Sequence, residues 1–240
     1  LDVSGVSSFN AGAGNITLDE ANDFGTIELV GADVDVTDVD DIILGLSDIS
    51  ATFDLIAGGV VTDSAVVLVA GDSTLTARGQ NITLDSTDFD GGIIVDTSGI
   101  AANGGNVSII NDPDGLAFTS VDTSGAAGNF DGGSMTLETT GVLAINGNLT
   151  STGGANGAGN GGVGGAIDIT GTGGVSIADG ITISSAGGEA TANNDNGGNG
   201  GTIDIRADAS TTAIGANAVI SSIGGDGSGA GTGGNGADIN

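Results

Sequence analysis

The sequence lacks cysteine, histidine, lysine, tryptophan and tyrosine, and it has one proline among 240 residues. Without cysteine the chain forms no disulfides, and without cysteine or histidine it cannot build the usual zinc, haem or iron–sulfur sites. Nucleophilic catalysis needs a base beside the nucleophile, so Ser–His, Cys–His and Ser–Lys pairs are excluded. The composition therefore predicts a protein that is not an enzyme.

Positive charge is also scarce. Two arginines, Arg78 and Arg206, oppose 31 acidic residues, which gives a net charge of −29. Such a charge repels nucleic acids and anionic membranes, so we expect no nucleic-acid partner. No run approaches 18 apolar residues, so we also expect no transmembrane segment.

Glycine is abundant, with 49 residues, and it recurs in a fixed pattern. A glycine pair followed by an alternating apolar strand repeats at intervals of 28 to 36 residues, at 104–109, 132–137, 164–169 and 200–205, with a broken copy at 234–239. A strand unit repeated in this way is typical of a chain wound into a solenoid. The 38% apolar content, placed as short strands between the glycines, argues against disorder.

We predict an all-β fold, a right-handed parallel β-helix (β-solenoid) of roughly triangular section with three short strands per coil. Because alternate side chains of a strand point to opposite faces, the apolar ones should stack inside. The predicted inward residues are Val107, Ile109, Met135, Leu137, Ile167, Ile169, Ile203 and Ile205, and the predicted outward ones are Ser108, Thr136, Asp168 and Asp204. Asn-Ile-Thr-Leu-Asp occurs at 15–19 and 81–85, which predicts the same structural position in two coils.

The sequence pattern changes near residue 99, where Gly/Asn-rich insertions begin. Residues 1–98 are predicted to form compact β-helix coils, and residues 99–240 to form coils with Gly/Asn-rich insertions at one corner. These insertions lie at 99–105, 125–133, 153–165, 187–201 and 224–236. We expect one continuous solenoid that is a segment of a longer protein.

Two groups of repeats resemble those of a known class. Gly200-Gly201-Thr202-Ile203-Asp204-Ile205, residues 174–184, and residues 8–18 with 22–25 are similar to repeats of bacterial filamentous-haemagglutinin-type exoproteins. Proteins of that class leave the cell by two-partner secretion or as autotransporter passengers. The resemblance implies a β-helical adhesin or filament located outside the cell or on its surface, associated with the outer membrane.

The acidic side chains suggest one binding site. Asp33, Asp35, Asp38, Asp40 and Asp41 form the densest cluster, and carboxylate oxygens are ligands that calcium prefers. Alternation places Asp33 and Asp35 outside, with Val34 and Val36 inside. The alternative to a calcium site is that these carboxylates form a solvated acidic face. No other cofactor is expected. Stacked Asp168 and Asp204 would repel each other unless they are offset, screened or bridged by a cation.

Three functions follow from these features. The first is a secreted, non-catalytic structural or adhesive segment of a cell-surface filament or adhesin stalk. Its partners would be further copies of itself, joined end to end or laterally, a host or neighbouring cell surface, or a glycan. The second is a calcium- or carbohydrate-binding surface module, and the third is a polysaccharide-degrading β-helix enzyme that uses carboxylates.

Overall fold

The computed structural model describes residues 1–192 and 194–240. In these residues the chain forms 23 β-strands and no helix. The strands pair in parallel with those of the neighbouring coils, so the chain is the predicted right-handed parallel β-helix. None of the described segments is a helix with the length and hydropathy needed to cross a membrane.

The first half contains short, closely spaced strands. They are β1 (Asp2–Asn10), β2 (Ile16–Gly31), β3 (Val34–Asp38), β4 (Ile42–Leu44), β5 (Ser47–Ile49), β6 (Phe53–Ala57), β7 (Val61–Asp63), β8 (Val67–Val69), β9 (Ser73–Thr76), β10 (Ile82–Leu84), β11 (Thr87–Phe89) and β12 (Gly92–Asp96). From β3 onward three strands make one coil, as predicted. Nineteen residues separate Ile42 from its partner Val61 in the next coil.

The second half keeps the three-strand coil but lengthens it. Its strands are β13 (Val107–Asp112), β14 (Gly115–Asp122), β15 (Met135–Thr139), β16 (Val142–Ile145), β17 (Leu149–Thr150), β18 (Ile167–Gly171), β19 (Gly174–Ile177), β20 (Thr182–Ala186), β21 (Ile203–Arg206), β22 (Thr212–Ile214) and β23 (Val219–Ile223). Strand β14 spans two sides of its coil, because it pairs with both β16 and β17. Thirty-six residues now separate Ile167 from its partner Ile203.

One corner of the solenoid accounts for most of this growth. The segments 39–41, 58–60 and 77–81 turn this corner in the first half. In the second half the equivalent segments are 97–106, 123–134, 151–166 and 187–202, and residues 224–236 continue the series. The corner thus grows from three residues to sixteen, while the other turns stay short.

The core is a set of apolar columns that run along the solenoid. Val107, Met135, Ile167 and Ile203 are paired in register, as are Ile109, Leu137, Ile169 and Ile205. All eight were predicted to point inward, and seven are at most 1% exposed, while Ile205 is partly buried against the same core. The predicted outward residues Ser108, Thr136, Asp168 and Asp204 are half-buried on the outer face.

One prediction was wrong: the Asn-Ile-Thr-Leu-Asp stretches at 15–19 and 81–85 do not take the same structural position in two coils. Ile16–Leu18 stacks on β3, in the column that continues through β6, β9 and β12. Ile82–Leu84 stacks between β7 and β13, in a different column. The shared sequence marks a common hydrogen-bonding role instead, because Asn15 and Asn81 each accept a backbone N–H from the following coil.

The columns predict where truncation is costly. Ile109→Ala should lower the free energy of unfolding by about 2–5 kcal/mol, because the coils above and below prevent the cavity from closing. Ser108→Ala, the adjacent outward position, should change it by less than about 0.5 kcal/mol. Urea titration followed by circular dichroism measures both values. Equal losses would contradict the assigned register.

Candidate functional site

The extended corner forms a distinct structure, which we call the glycine ridge: residues 97–106, 123–134, 151–166, 187–202 and 224–236. Each long segment leaves the solenoid along one limb and returns along another. Backbone hydrogen bonds of 2.8–3.0 Å join the limbs in a zigzag that rises coil by coil. The N–H to C=O pairs are Gly154 to Phe130, Gly162 to Gly154, Gly188 to Gly162, Gly198 to Gly188, Gly225 to Gly198 and Gly234 to Gly225. The ridge is therefore a hydrogen-bonded continuation of the solenoid.

Glycine is required in the ridge because the limbs pack backbone against backbone. A Cβ atom on Gly198 would overlap the carbonyl group of Gly162, and one on Gly188 would overlap that of Gly154. The overlapped atoms are main-chain atoms, which cannot turn aside as a flexible side chain does. The paired glycines of the sequence repeat thus mark the places where two limbs approach each other.

Buried hydroxyl groups join the ridge to the core. Ser151 Oγ donates to the Gly133 carbonyl at 2.6 Å and accepts the Gly165 N–H at 3.0 Å. Ser185 repeats this arrangement one coil later with Gly165 and Gly201. Both side chains are fully buried, so these bonds supply the partners that buried polar groups require.

Asparagine side chains connect successive coils on the outer surface of the ridge. Asn160 Oδ1 accepts the Asn196 N–H at 2.9 Å, and Asn196 Oδ1 accepts the Thr232 N–H at 2.8 Å. In a parallel row, Asn199 Oδ1 accepts the Asn235 N–H at 2.8 Å. Between the two rows lies a polar groove of about 330 Å³, which we call the amide groove.

A second groove lies on the outer face near β1, with a volume of about 410 Å³. Its lining combines exposed apolar side chains, including Leu46 and Leu68, with the carboxylates of Glu28 and Asp48. Exposed apolar surface bordered by polar groups is typical of places where other molecules bind.

The five predicted calcium ligands lie on different sides of β3 and in the segments next to it. Asp33 accepts a hydrogen bond from the Thr52 hydroxyl at 3.0 Å, and Asp35 lies half-buried on the outer face of β3. Asp38 points inward, and Asp40 and Asp41 occupy the exposed turn after β3. Across residues 1–192 and 194–240, no three His, Cys, Asp or Glu side chains form a group that could hold a metal ion. Calcium binding stays a prediction.

Two buried aspartates have structural partners. Asp38, 2% exposed, accepts the Phe24 N–H at 2.8 Å, and Asp112, fully buried, accepts the Phe89 N–H at 2.9 Å. Burial raises the pKa of both carboxyl groups, although the donated backbone N–H bonds oppose that shift. The inward position of Asp38 follows the alternation of Val34 and Val36, so the sequence contained that signal. Asp112 follows a register shift in β13, which hid its position.

The stacked pair Asp168 and Asp204 is bridged by a cation from the chain itself. The Arg206 guanidinium hydrogen-bonds Asp204 and lies 3.5 Å from Asp168 Oδ2. The hydrogen bond that Arg206 donates to the Asp204 carboxylate raises the pKa of Arg206, and the charge of Asp168 adds to the effect. The other arginine, Arg78, pairs with Asp96 at 3.0 Å.

The backbone packing of the ridge predicts a marked difference between two glycines. Gly198→Ala should lower the free energy of unfolding by about 1–3 kcal/mol, because its Cβ meets immovable main chain. Gly157→Ala is the matched control: its Cβ would lie 3.8 Å from Thr191 Oγ1, so we expect no loss. Urea titration measures both variants. Equal tolerance would show that the limbs are not packed as described.

The buried aspartates predict the sign of the pH dependence. A carboxyl group with a raised folded-state pKa stabilises the fold fully below its unfolded pKa of about 3.8, and this contribution is lost as pH rises through the folded pKa. Stability should therefore increase on mild acidification from neutral pH. The double variant Asp38→Asn/Asp112→Asn should show a weaker increase.

The charge-matched control for that experiment is Asp2→Asn/Asp226→Asn, since both side chains are exposed. Melting temperatures across the acidic range measure the three slopes. A slope for the buried double variant equal to that of the control would show that Asp38 and Asp112 do not contribute.

Comparison with known families finds a match in the first half of the chain. A family described as repeats of unknown function (DUF5649) matches residues 1–29 and 31–96, within the compact first half of the chain. No curated protein and no solved structure shows a significant match. The matched repeats and the stacked coils together make this chain a repeat protein with a β-helical fold.

Proposed function

We propose that the chain is a segment of a secreted, non-catalytic structural or adhesive β-solenoid located on the bacterial cell surface, of the filamentous-haemagglutinin type. The observation that most supports this role is the unbroken stacking of coils along one apolar core. A rod built in this way holds its shape without a partner and presents long lateral faces to the surroundings.

The use of polar side chains also supports a structural role. The buried residues Asp38, Asp112, Ser151 and Ser185 hydrogen-bond main-chain groups. Most of these bonds join one coil to another, so the buried polar groups stabilise the stack. The polar groups that can contact other molecules therefore lie on the outer faces and on the ridge.

The outer surface suits adhesion. The net charge of −29 keeps long β-sheet faces soluble and discourages random pairing of rods. Against this background, the groove containing Leu46 and Leu68 offers a local apolar contact of the kind found at interaction sites.

Surface location is the property that tests this proposal. An antibody raised against the chain should label intact cells of the source organism, and added protease should remove the label. A cytoplasmic protein of the same cells, labelled only after lysis, is the control. Labelling of this chain only after lysis would overturn the proposal.

A further inference from the structure

The amide groove repeats along the axis of the solenoid. One wall consists of Asn160, Asn196 and Thr232 in three successive coils, and the other of Val163, Asn199 and Asn235. In each coil, two glycines separate the residue of one wall from the residue of the other wall, as in Asn196-Gly197-Gly198-Asn199. The groove therefore has an open floor without side chains, and its polar groups recur at the coil spacing of about 4.8 Å.

The coil-to-coil bonds fix which end of each amide faces a ligand. Asn160, Asn196 and Asn199 each use Oδ1 to accept a backbone N–H of the next coil. Among the described residues, none accepts a hydrogen bond from their Nδ2 groups. These three side chains therefore supply N–H donors that are available to an external acceptor.

The lining restricts the chemistry of that acceptor. No charged residue lines the groove, and the chain around it has a net charge of −29, so an anionic ligand is disfavoured. A second copy of the ridge would bring further amide donors and the same negative charge. A neutral molecule rich in oxygen acceptors, with a repeat that can follow successive coils, fits the groove best.

We infer that the amide groove binds a neutral, extended polysaccharide, whose chain lies along the solenoid axis and whose hydroxyl and ring oxygens accept hydrogen bonds from Asn160, Asn196 and Asn199. This inference rests on the proposed adhesive function and names the class of its ligand. Exposed amide donors give weak binding per coil, so useful retention arises from several coils that engage one polymer.

The chain offers a nearly isosteric test. Asn→Asp keeps the oxygen that accepts the next coil's N–H and replaces the N–H donors with an acceptor. The groove variant is Asn160→Asp/Asn196→Asp/Asn199→Asp. The matched control is Asn81→Asp/Asn106→Asp/Asn148→Asp, because these exposed side chains accept inter-coil N–H bonds in the same way but lie outside the groove.

Co-sedimentation with insoluble cellulose and chitin measures binding, and circular dichroism establishes that all three proteins are folded. We expect saturable wild-type binding to at least one polymer, a reduction of roughly ten-fold or more in the groove variant, and wild-type behaviour in the control. Absence of wild-type binding to both polymers, or an equal effect of the two variants, would overturn the inference.

Failure of this inference and failure of the proposed function give different results. A chain that labels on intact cells but binds neither polymer retains its proposed adhesive role and loses only this ligand. A chain that labels only after lysis loses the proposed role, whatever it binds in the test tube.

Discussion

Hydrogen bonding between successive coils is the constraint on which the rest of this structure depends. The strands between the two end coils take their partners from the coils before and after them, so each of these inner coils must present its backbone in register with two others. The apolar columns, the hydroxyls of Ser151 and Ser185, and the asparagine rows all hold successive coils in this register, each in a different part of the solenoid. In the ridge it becomes most severe, because two limbs of the same coil also pair with each other, and only glycine lets their main chains approach closely enough.

The sequence contained enough information for the solenoid but not for the inside of the ridge. Alternation in stretches such as Ile167-Asp168-Ile169 specifies which side chains face the core, and stacking then follows from repetition. The prediction from the Asn-Ile-Thr-Leu-Asp repeat was wrong, because its asparagine marks a hydrogen bond between successive coils that occurs in more than one column. The zigzag of the ridge joins glycines that lie 8 to 27 residues apart, such as Gly154 and Gly162 or Gly198 and Gly225, and no local pattern reveals which limbs meet.

The polar side chains fall into two groups, those that bind the main chain within the stack and those that remain available to other molecules. Side chains that hold the stack together are buried or bound to the main chain, as with Asp38, Asp112 and Ser151. Groups that remain available lie on the outer faces and on the ridge, where the Nδ2 groups of Asn160, Asn196 and Asn199 donate to no other described residue. A rod that lengthens one corner without disturbing its core can therefore vary its contact surface while its stacking stays unchanged.

The central claim is that the ridge folds as part of the solenoid, and amide hydrogen exchange tests it most directly. If the zigzag exists, the N–H groups of Gly162, Gly188 and Gly198 should exchange slowly, with protection within about ten-fold of that of Ile169 in strand β18. The N–H of Gly157, which lies at the tip of the ridge, should exchange much faster. Exchange of all three ridge glycines at the rate of Gly157 would contradict the account.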